Sequence, residues 1–380
     1  MRIVVPDQEA PLGTQGYADA VGEALQRLEG LGYERGTNGD LANHGPMGAE
    51  ALAVLGFGEA VSSWVEGYKQ AMPHHDPPAP RFEIDPSDES SWREALGQFH
   101  RAGDWERLFW RELREDPWQR VLERWWPRLL PGLMAGLTHG LIRTAHATRS
   151  VAAAEPPSDL ALTELARGLA YWAARYTGLP GDARLIGKHR PAEAVARLPR
   201  PESEGVITPP MAAERLRRVR LQDDEEFPGY FDALDDIAPN SAQWLLSEMT
   251  STFAGVYLAH PEILPIPLIH GVTAPAAIRL VLPYLPSEQH GPTVATMWQV
   301  HVALLMAFTS DASPERRSLD TARAMDLPSG PQLLVGAMEH GDEHVIKFAE
   351  ACQREYALRP DPRYPAAAFA AQQRIAVLGR

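Results

Sequence analysis

Apolar residues recur at three- and four-residue intervals along nine stretches: Tyr17–Leu28, Gly48–Gln70, Trp92–Trp126, Met134–Val151, Asp159–Tyr176, Ala242–Leu258, Ala276–Leu285, Val294–Phe308 and Glu343–Leu358. That spacing gathers them on one face of a helix and predicts a helix for each stretch. Two-residue alternation is almost absent. Ile3–Val5 is one short strand candidate, too little for a sheet. The predicted class is all-α, a large multi-helix bundle with long proline-rich connections. The 34 prolines and 30 glycines fall mainly between the helices. Asp342 is placed to cap a helix opening at Glu343, and Thr273 precedes Pro275, a residue the first helical turn tolerates. Met72–Arg81 and Arg190–Pro210 read as surface loops. The second also marks a weak boundary between two lobes of what otherwise reads as one domain over residues 1–380. Trp105, Trp110, Trp118, Trp125 and Trp126 are expected in the core.

Composition narrows the function classes. A formal charge of -14 argues against nucleic acid as the main partner, because phosphate binding needs a cationic surface. Cys352 is the sole cysteine, so no intramolecular disulfide forms. Met1–Pro11 lacks a secretory pattern, and no run of about twenty apolar residues is expected anywhere, so no membrane span is expected. A cytoplasmic address and no membrane partner are expected; oligomeric state is left open. Of 36 basic residues only Lys69, Lys188 and Lys347 are lysine. Arginine keeps its proton and lysine can lose its own, so the two differ wherever a neutral amine is needed.

The histidines carry the candidate chemistry. His139, Arg143 and His146 lie at spacings of four and three and form one helical stripe. His340, His344 and Lys347 repeat those spacings, although Gly341 and Asp342 leave His340 just before the helix. His44 and His270 each read as lying immediately before a helix. Taken singly, His44 or His270 is more often a hydrogen-bonded packing residue, and His139 with His146 reads equally well as an ordinary polar stripe. Arg143 suits either a substrate contact or a structural salt bridge. His301 is assigned to the core or to support of the site. His74, His75, His100, His189, His260 and His290 are expected to face solvent. Lys347, flanked by Val345, Ile346 and Phe348, is either a snorkelling or salt-bridged lysine or a buried amine. Burial favours the neutral form, and a neutral amine can take up carbon dioxide as a carbamate, in effect a carboxylate on a long arm.

Asn43-His-Gly-Pro-Met-Gly-Ala-Glu-Ala-Leu, Thr138-His-Gly-Leu-Ile-Arg-Thr-Ala-His-Ala, His270-Gly-Val-Thr-Ala-Pro and Asp342-Glu-His-Val-Ile-Lys-Phe-Ala-Glu-Ala-Cys occur in this order. Together they resemble the questin oxidase-like family, known for oxygenases that open the ring of anthraquinone polyketides. A ring-cleaving member is similar to a non-haem iron dioxygenase whose iron is held by histidines and a carboxylated lysine. The resemblance implies Lys347 as that lysine, His44, His139, His146 and His344 as imidazole ligands, and Fe(II) as the metal. His270 is a fifth candidate that could replace one of the four; it and Arg143 are the candidate catalytic groups. Glu50 is a candidate acceptor for a ligand histidine N–H. The implied partners are dioxygen and a small aromatic or quinone substrate, with oxidative ring cleavage as the reaction.

The family has also been linked to NADPH-dependent Baeyer–Villiger oxidation. The usual dinucleotide site needs a glycine-rich turn between a strand and a helix. No Gly-x-Gly-x-x-Gly stands in that setting here, and Gly30–Gly39 reads as a loop joining helices. Metal-free NADPH-driven oxidation and a non-catalytic helical metal or ligand binder remain the alternatives.

Overall fold

The computed structural model describes residues 14–37, 41–200, 214, 217 and 242–377. Sixteen α-helices lie among them, with one two-stranded antiparallel hairpin, so the all-α expectation holds. Ile3–Val5 and residues 201–210 of the expected boundary lie outside the described residues.

The amphipathic stripes pair the helices. α1 (Thr14–Arg27) crosses α2 (Gly45–Val54) and α3 (Gly58–Ala71), burying Val21, Leu25, Leu52, Val61 and Val65 together with Ile346. The hairpin β1 (Glu34–Arg35) and β2 (Leu41–Ala42) leads into α2. The stretch expected to be a plain loop, Gly30–Gly39, therefore contains a strand. α4 (Glu89–Ala95), α5 (Ala102–Glu115), α6 (Trp118–Leu129), α7 (His139–Ala152) and α8 (Asp159–Ala174) follow. Trp105, Trp118, Trp125 and Trp126 are buried among them as expected. Trp110 is 45% exposed, beneath the Arg114 guanidinium, because it faces away from the α5 stripe.

After α9 (Pro191–Arg197) come α10 (Ala242–Ala259), α11 (Pro265–Val281), α12 (His290–Phe308), α13 (Ser318–Ala324), α14 (Gly330–His340), α15 (Glu343–Leu358) and α16 (Arg363–Arg374). α9 corrects the expected loop: Pro191 starts it, and Ala194 and Val195 are buried. α13, α14 and α16 fall on stretches given no helix from the pattern.

Two long predicted helices are broken. Gly48–Gln70 splits at Gly56, whose φ of +90° suits a residue without a Cβ. Trp92–Trp126 splits at Gly97 and again before Pro117. Met134–Val151 begins later, at His139, because Gly136, Leu137 and Thr138 all take positive φ.

Helix α11 is the largest correction. It starts at Pro265 and runs through His270 and Pro275, so neither residue stands at a helix entry. Pro275 has no N–H to give the carbonyl four residues back. His301 Nε2 donates to that carbonyl, Gly271 O, at 2.8 Å, which keeps the interrupted helix satisfied. The same segment also corrects the expectation of no long apolar run: Pro265–Tyr284 is long and apolar enough to cross a membrane by length and composition, with 78% of the window buried inside the protein.

Four of these helices form a closed ring: α2 against α7, α7 against α11, α11 against α15, and α15 against α2. Glycine lets α7 seat closely on α8 behind the ring. A Cβ on Gly140 would lie 2.6 Å from the Cα of Trp172.

Candidate metal centre

Each helix of the ring brings chemistry to one end. His44 is the N-cap of α2, His139 the first residue of α7, and His344 the second residue of α15, with Lys347 one turn later. His270 comes from the second turn of α11. The ring centroids of His44 lie 4.5 Å from those of His139 and 4.4 Å from those of His344; His139 and His270 are 4.5 Å apart. Lys347 Nζ lies 3.1 Å from His44 Nδ1. One nitrogen each from His44, His139 and His344 falls within 4.8 Å of the others, a spacing that a single ion spans.

The hydrogen bonds set the tautomers. His139 Nδ1 contacts the Gly136 carbonyl, which can only accept, so Nδ1 carries the hydrogen and Nε2 presents a lone pair. That Nε2 is buried and has no partner. His344 Nδ1 lies 3.2 Å from Asp342 Oδ1, and Asp342 also caps α15 by accepting from the His344 and Val345 amides. His270 Nδ1 shares a hydrogen bond of 2.9 Å with Thr138 Oγ1. With Lys347 Nζ against His44 Nδ1, all four rings thus have Nδ1 engaged by the protein, and for His139, His270 and His344 the partner is an oxygen of the kind that orients metal-binding imidazoles.

Electrostatics favour neutral nitrogens. Burial first, then the neighbouring Lys347 and histidines, push His44 and His139 well below the usual histidine range. Burial, with His139 and Lys347 next, does the same to His270. Burial lowers the Lys347 amine to about 8, against the opposing pull of Glu343 and Asp342. Lys347 is 4% exposed, so it does not snorkel, and among the described residues no carboxylate pairs with its amine. His344, at 15% side-chain exposure, is the most open of the group. Imidazole nitrogens kept neutral by burial, beside an amine whose proton is loosened, are donors of the kind that divalent first-row ions accept.

The remaining candidates stand elsewhere. His146 lies seven residues along α7 from His139, about 10 Å at the helical rise. Its Nδ1 is 2.6 Å from Glu50 Oε2, so Glu50 does accept from a histidine N–H. Among the described residues no ring contact joins His146 to the other four. Arg143 is 1% exposed and forks onto Glu164, with Nε–Oε1 at 2.6 Å and Nη2–Oε2 at 2.8 Å. It takes the salt-bridge placement.

Arg149, also on α7, forks onto Glu50 and reaches Glu350 Oε1 at 2.6 Å. Glu350 in turn accepts from Arg354, which donates to Ala276 O on α11. This largely buried chain ties together all four helices that bring residues to the cluster. Nothing in the spacing pattern pointed to it, because its members lie on different helices.

His301 is fully buried, as expected for a core or supporting group. Some of the histidines expected in solvent are held by the protein, among them His290, whose Nε2 donates to the Leu282 and Leu285 carbonyls. His260 is 3% exposed between Glu262 and Glu315, each at 3.0 Å, and His74 is half-buried against Tyr68.

A family model described as Questin oxidase-like matches residues 42–352, a span that includes all four clustered histidines and Lys347. No curated protein matches the sequence. Covering most of the chain, the match makes this protein a member of the questin oxidase-like family, a placement that points to an oxidoreductase of the oxygenase type working on aromatic polyketide substrates.

Proposed function

We propose that this protein is a metal-dependent oxygenase in which His44, His139, His270, His344 and Lys347 hold Fe(II), with Lys347 bound as its carbamate. The observation that carries the reading is the unpartnered, buried Nε2 of His139 among three further imidazoles and an amine. His146 belongs to the buried ion network in this reading and supports the centre through Glu50.

The protein's own groups do the following. The neutral Lys347 amine attacks carbon dioxide: an N–C bond forms, a C=O π pair becomes an oxygen lone pair, and one N–H proton leaves to solvent. The product is a hard anionic oxygen that offsets the charge of a cation held otherwise by neutral nitrogens. Gly136, Thr138 and Asp342 keep three rings turned inward. Burial of His44, His139 and His270 excludes water. Bound ferrous iron would supply the one-electron chemistry that lets dioxygen react with an electron-rich ring. The partly open side at His344 is where a flat aromatic substrate and dioxygen would enter, and oxidative ring cleavage is the reaction favoured by the family.

Metal analysis of protein purified without a histidine tag, paired with oxygen uptake on 1,8-dihydroxyanthraquinone or its hydroquinone, tests the reading. Iron near one per chain and iron-dependent uptake are expected. Preparations devoid of iron, manganese and zinc that still consume oxygen with NADPH would replace it with metal-free oxidation. Metal without uptake on any such substrate would favour a non-catalytic binder.

A further inference from the structure

Arg35 is 2% exposed, yet among the described residues its guanidinium has a single acceptor. Nη2 donates to Glu343 Oε1, while Nε and Nη1 are buried without partners, as is Glu343 Oε2. Turning Nε onto Oε2 would close a two-pronged ion pair and satisfy both atoms. Nη1 would still hold two hydrogens with nothing to receive them. A guanidinium cannot shed its proton to escape the penalty. The group is also held in place, because its carbon sits 4.0 Å above the Tyr68 ring.

Positive partial charge converges here beside the carboxylates of Glu343 and Asp342. Glu343 Oε1, the atom paired with Arg35, is 4.0 Å from His44 Nδ1 and 4.0 Å from His344 Nδ1, so Arg35 stands directly behind the candidate centre. α2, α7 and α15 all start here, and helix starts carry partial positive charge and unpaired N–H groups. His74 is joined to Arg35 by a backbone bridge and lies 5.5 Å from the same Tyr68 ring. Both of its ring nitrogens are buried without partners. Arg35 precedes the residues matched by the family model, which begin at residue 42, so the match assigns it nothing.

We infer that Arg35, with His74 beside it, forms an oxyanion-binding subsite next to the candidate metal centre, and that its ligand is an anionic oxygen on an sp2 carbon. Two sources supply that chemistry: a carbamate on Lys347, or the ionised ring hydroxyl of an aromatic substrate. The inference rests on the metal-centre reading for its setting, but its test does not depend on turnover.

The full chain is compared with Arg35→Lys, which keeps the charge opposite Glu343 but loses the planar fork. A paired variant, Arg35→Gln with Glu343→Gln, serves if the single variant does not fold, as judged by far-UV circular dichroism and melting. In the first arm, metal-stripped protein is titrated with 1,8-dihydroxyanthraquinone near neutral pH, where the ionised form absorbs to the red. In the second arm, zinc-loaded, substrate-free protein is equilibrated with 13C-bicarbonate and the carbamate carbon is followed by NMR.

A red-shifted complex weakened about tenfold or more in the variant identifies the ring hydroxyl as the ligand. A carbamate signal present in the wild type and lost in the variant identifies Lys347 as the source. If a folded variant keeps both signals within twofold, or if the wild type shows neither, the subsite is overturned. The metal-centre reading is judged separately, by the metal content of the untagged wild type.

Discussion

Lys347 Nζ and His44 Nδ1 lie 3.1 Å apart although 303 residues separate them in the chain. Each comes from the beginning of a helix, and α15 and α2 pack side by side. The contact puts the one deeply buried lysine against an imidazole that burial keeps neutral. Proximity of this kind makes the protonation state of the amine a chemical variable.

With the Lys347 amine lowered to about 8 by burial, its neutral fraction grows about tenfold per unit as pH rises towards 8 and levels off above it. At fixed dissolved carbon dioxide, uptake of metal by stripped protein should accelerate in the same way. Lys347→Arg keeps its charge at every accessible pH and should reduce bound metal to below about a tenth while the fold is retained. Elemental analysis with circular dichroism checks both; unchanged metal in the arginine variant removes the carbamate.

Thr138 has φ +67°, ψ 1° and follows Leu137 at φ +56°, an unfavourable backbone for a β-branched side chain. Its hydroxyl contacts His270 Nδ1, so strain and site geometry meet in one residue. Thr138→Gly is expected to be at least as stable as the wild type yet to bind metal about tenfold more weakly. Thr138→Ser should keep the affinity. Thermal melts and chelator competition measure the two quantities, and a glycine variant with wild-type affinity would show that the hydroxyl is not needed.

Arg149 holds Glu50 and Glu350 at 2.6 Å. Burial alone would raise the Glu50 carboxyl, but Arg149 and His146 outweigh it and hold it at about 2. Arg149→Met leaves two buried carboxylates short of their cation and should cost about 3–5 kcal/mol in urea unfolding. Adding Glu50→Gln and Glu350→Gln should recover part of that loss. A cost below about 1 kcal/mol would mean that the ion chain contributes little to joining the helices.

His301 is held at about 3 by burial, against the weaker effect of its bond to Gly271 O. The folded value lies below the unfolded one, so the unfolded chain takes up the proton first as pH falls. His301 therefore contributes stability that is present above about pH 6.5 and is lost on the way down to pH 3. Its share is roughly 1.4 kcal/mol per pH unit across that window. His301→Gln should flatten the acid limb of a stability–pH profile by that amount per unit, and an unaltered slope would place the acid sensitivity elsewhere.

Sequence alone determined the helical class, because three- and four-residue spacing is a property of single segments. It also marked Asp342 as a cap, His44 as a helix entry and Lys347 as a lysine on an apolar helix, all decided within a few residues. Tertiary structure decided which histidines meet. His139 and His146 point the same way from α7 but differ in height by about 10 Å, and only the level at which α2, α11 and α15 cross α7 selects between them. His270 was misplaced because Pro275 read as a helix start, whereas His301 takes up the carbonyl that the proline frees. Arg35, Thr138 and the Arg149 chain carried no local signal, since each acquires its role from partners on other segments. Periodicity records which face of a helix is buried; the distances that make a centre depend on how those faces are stacked.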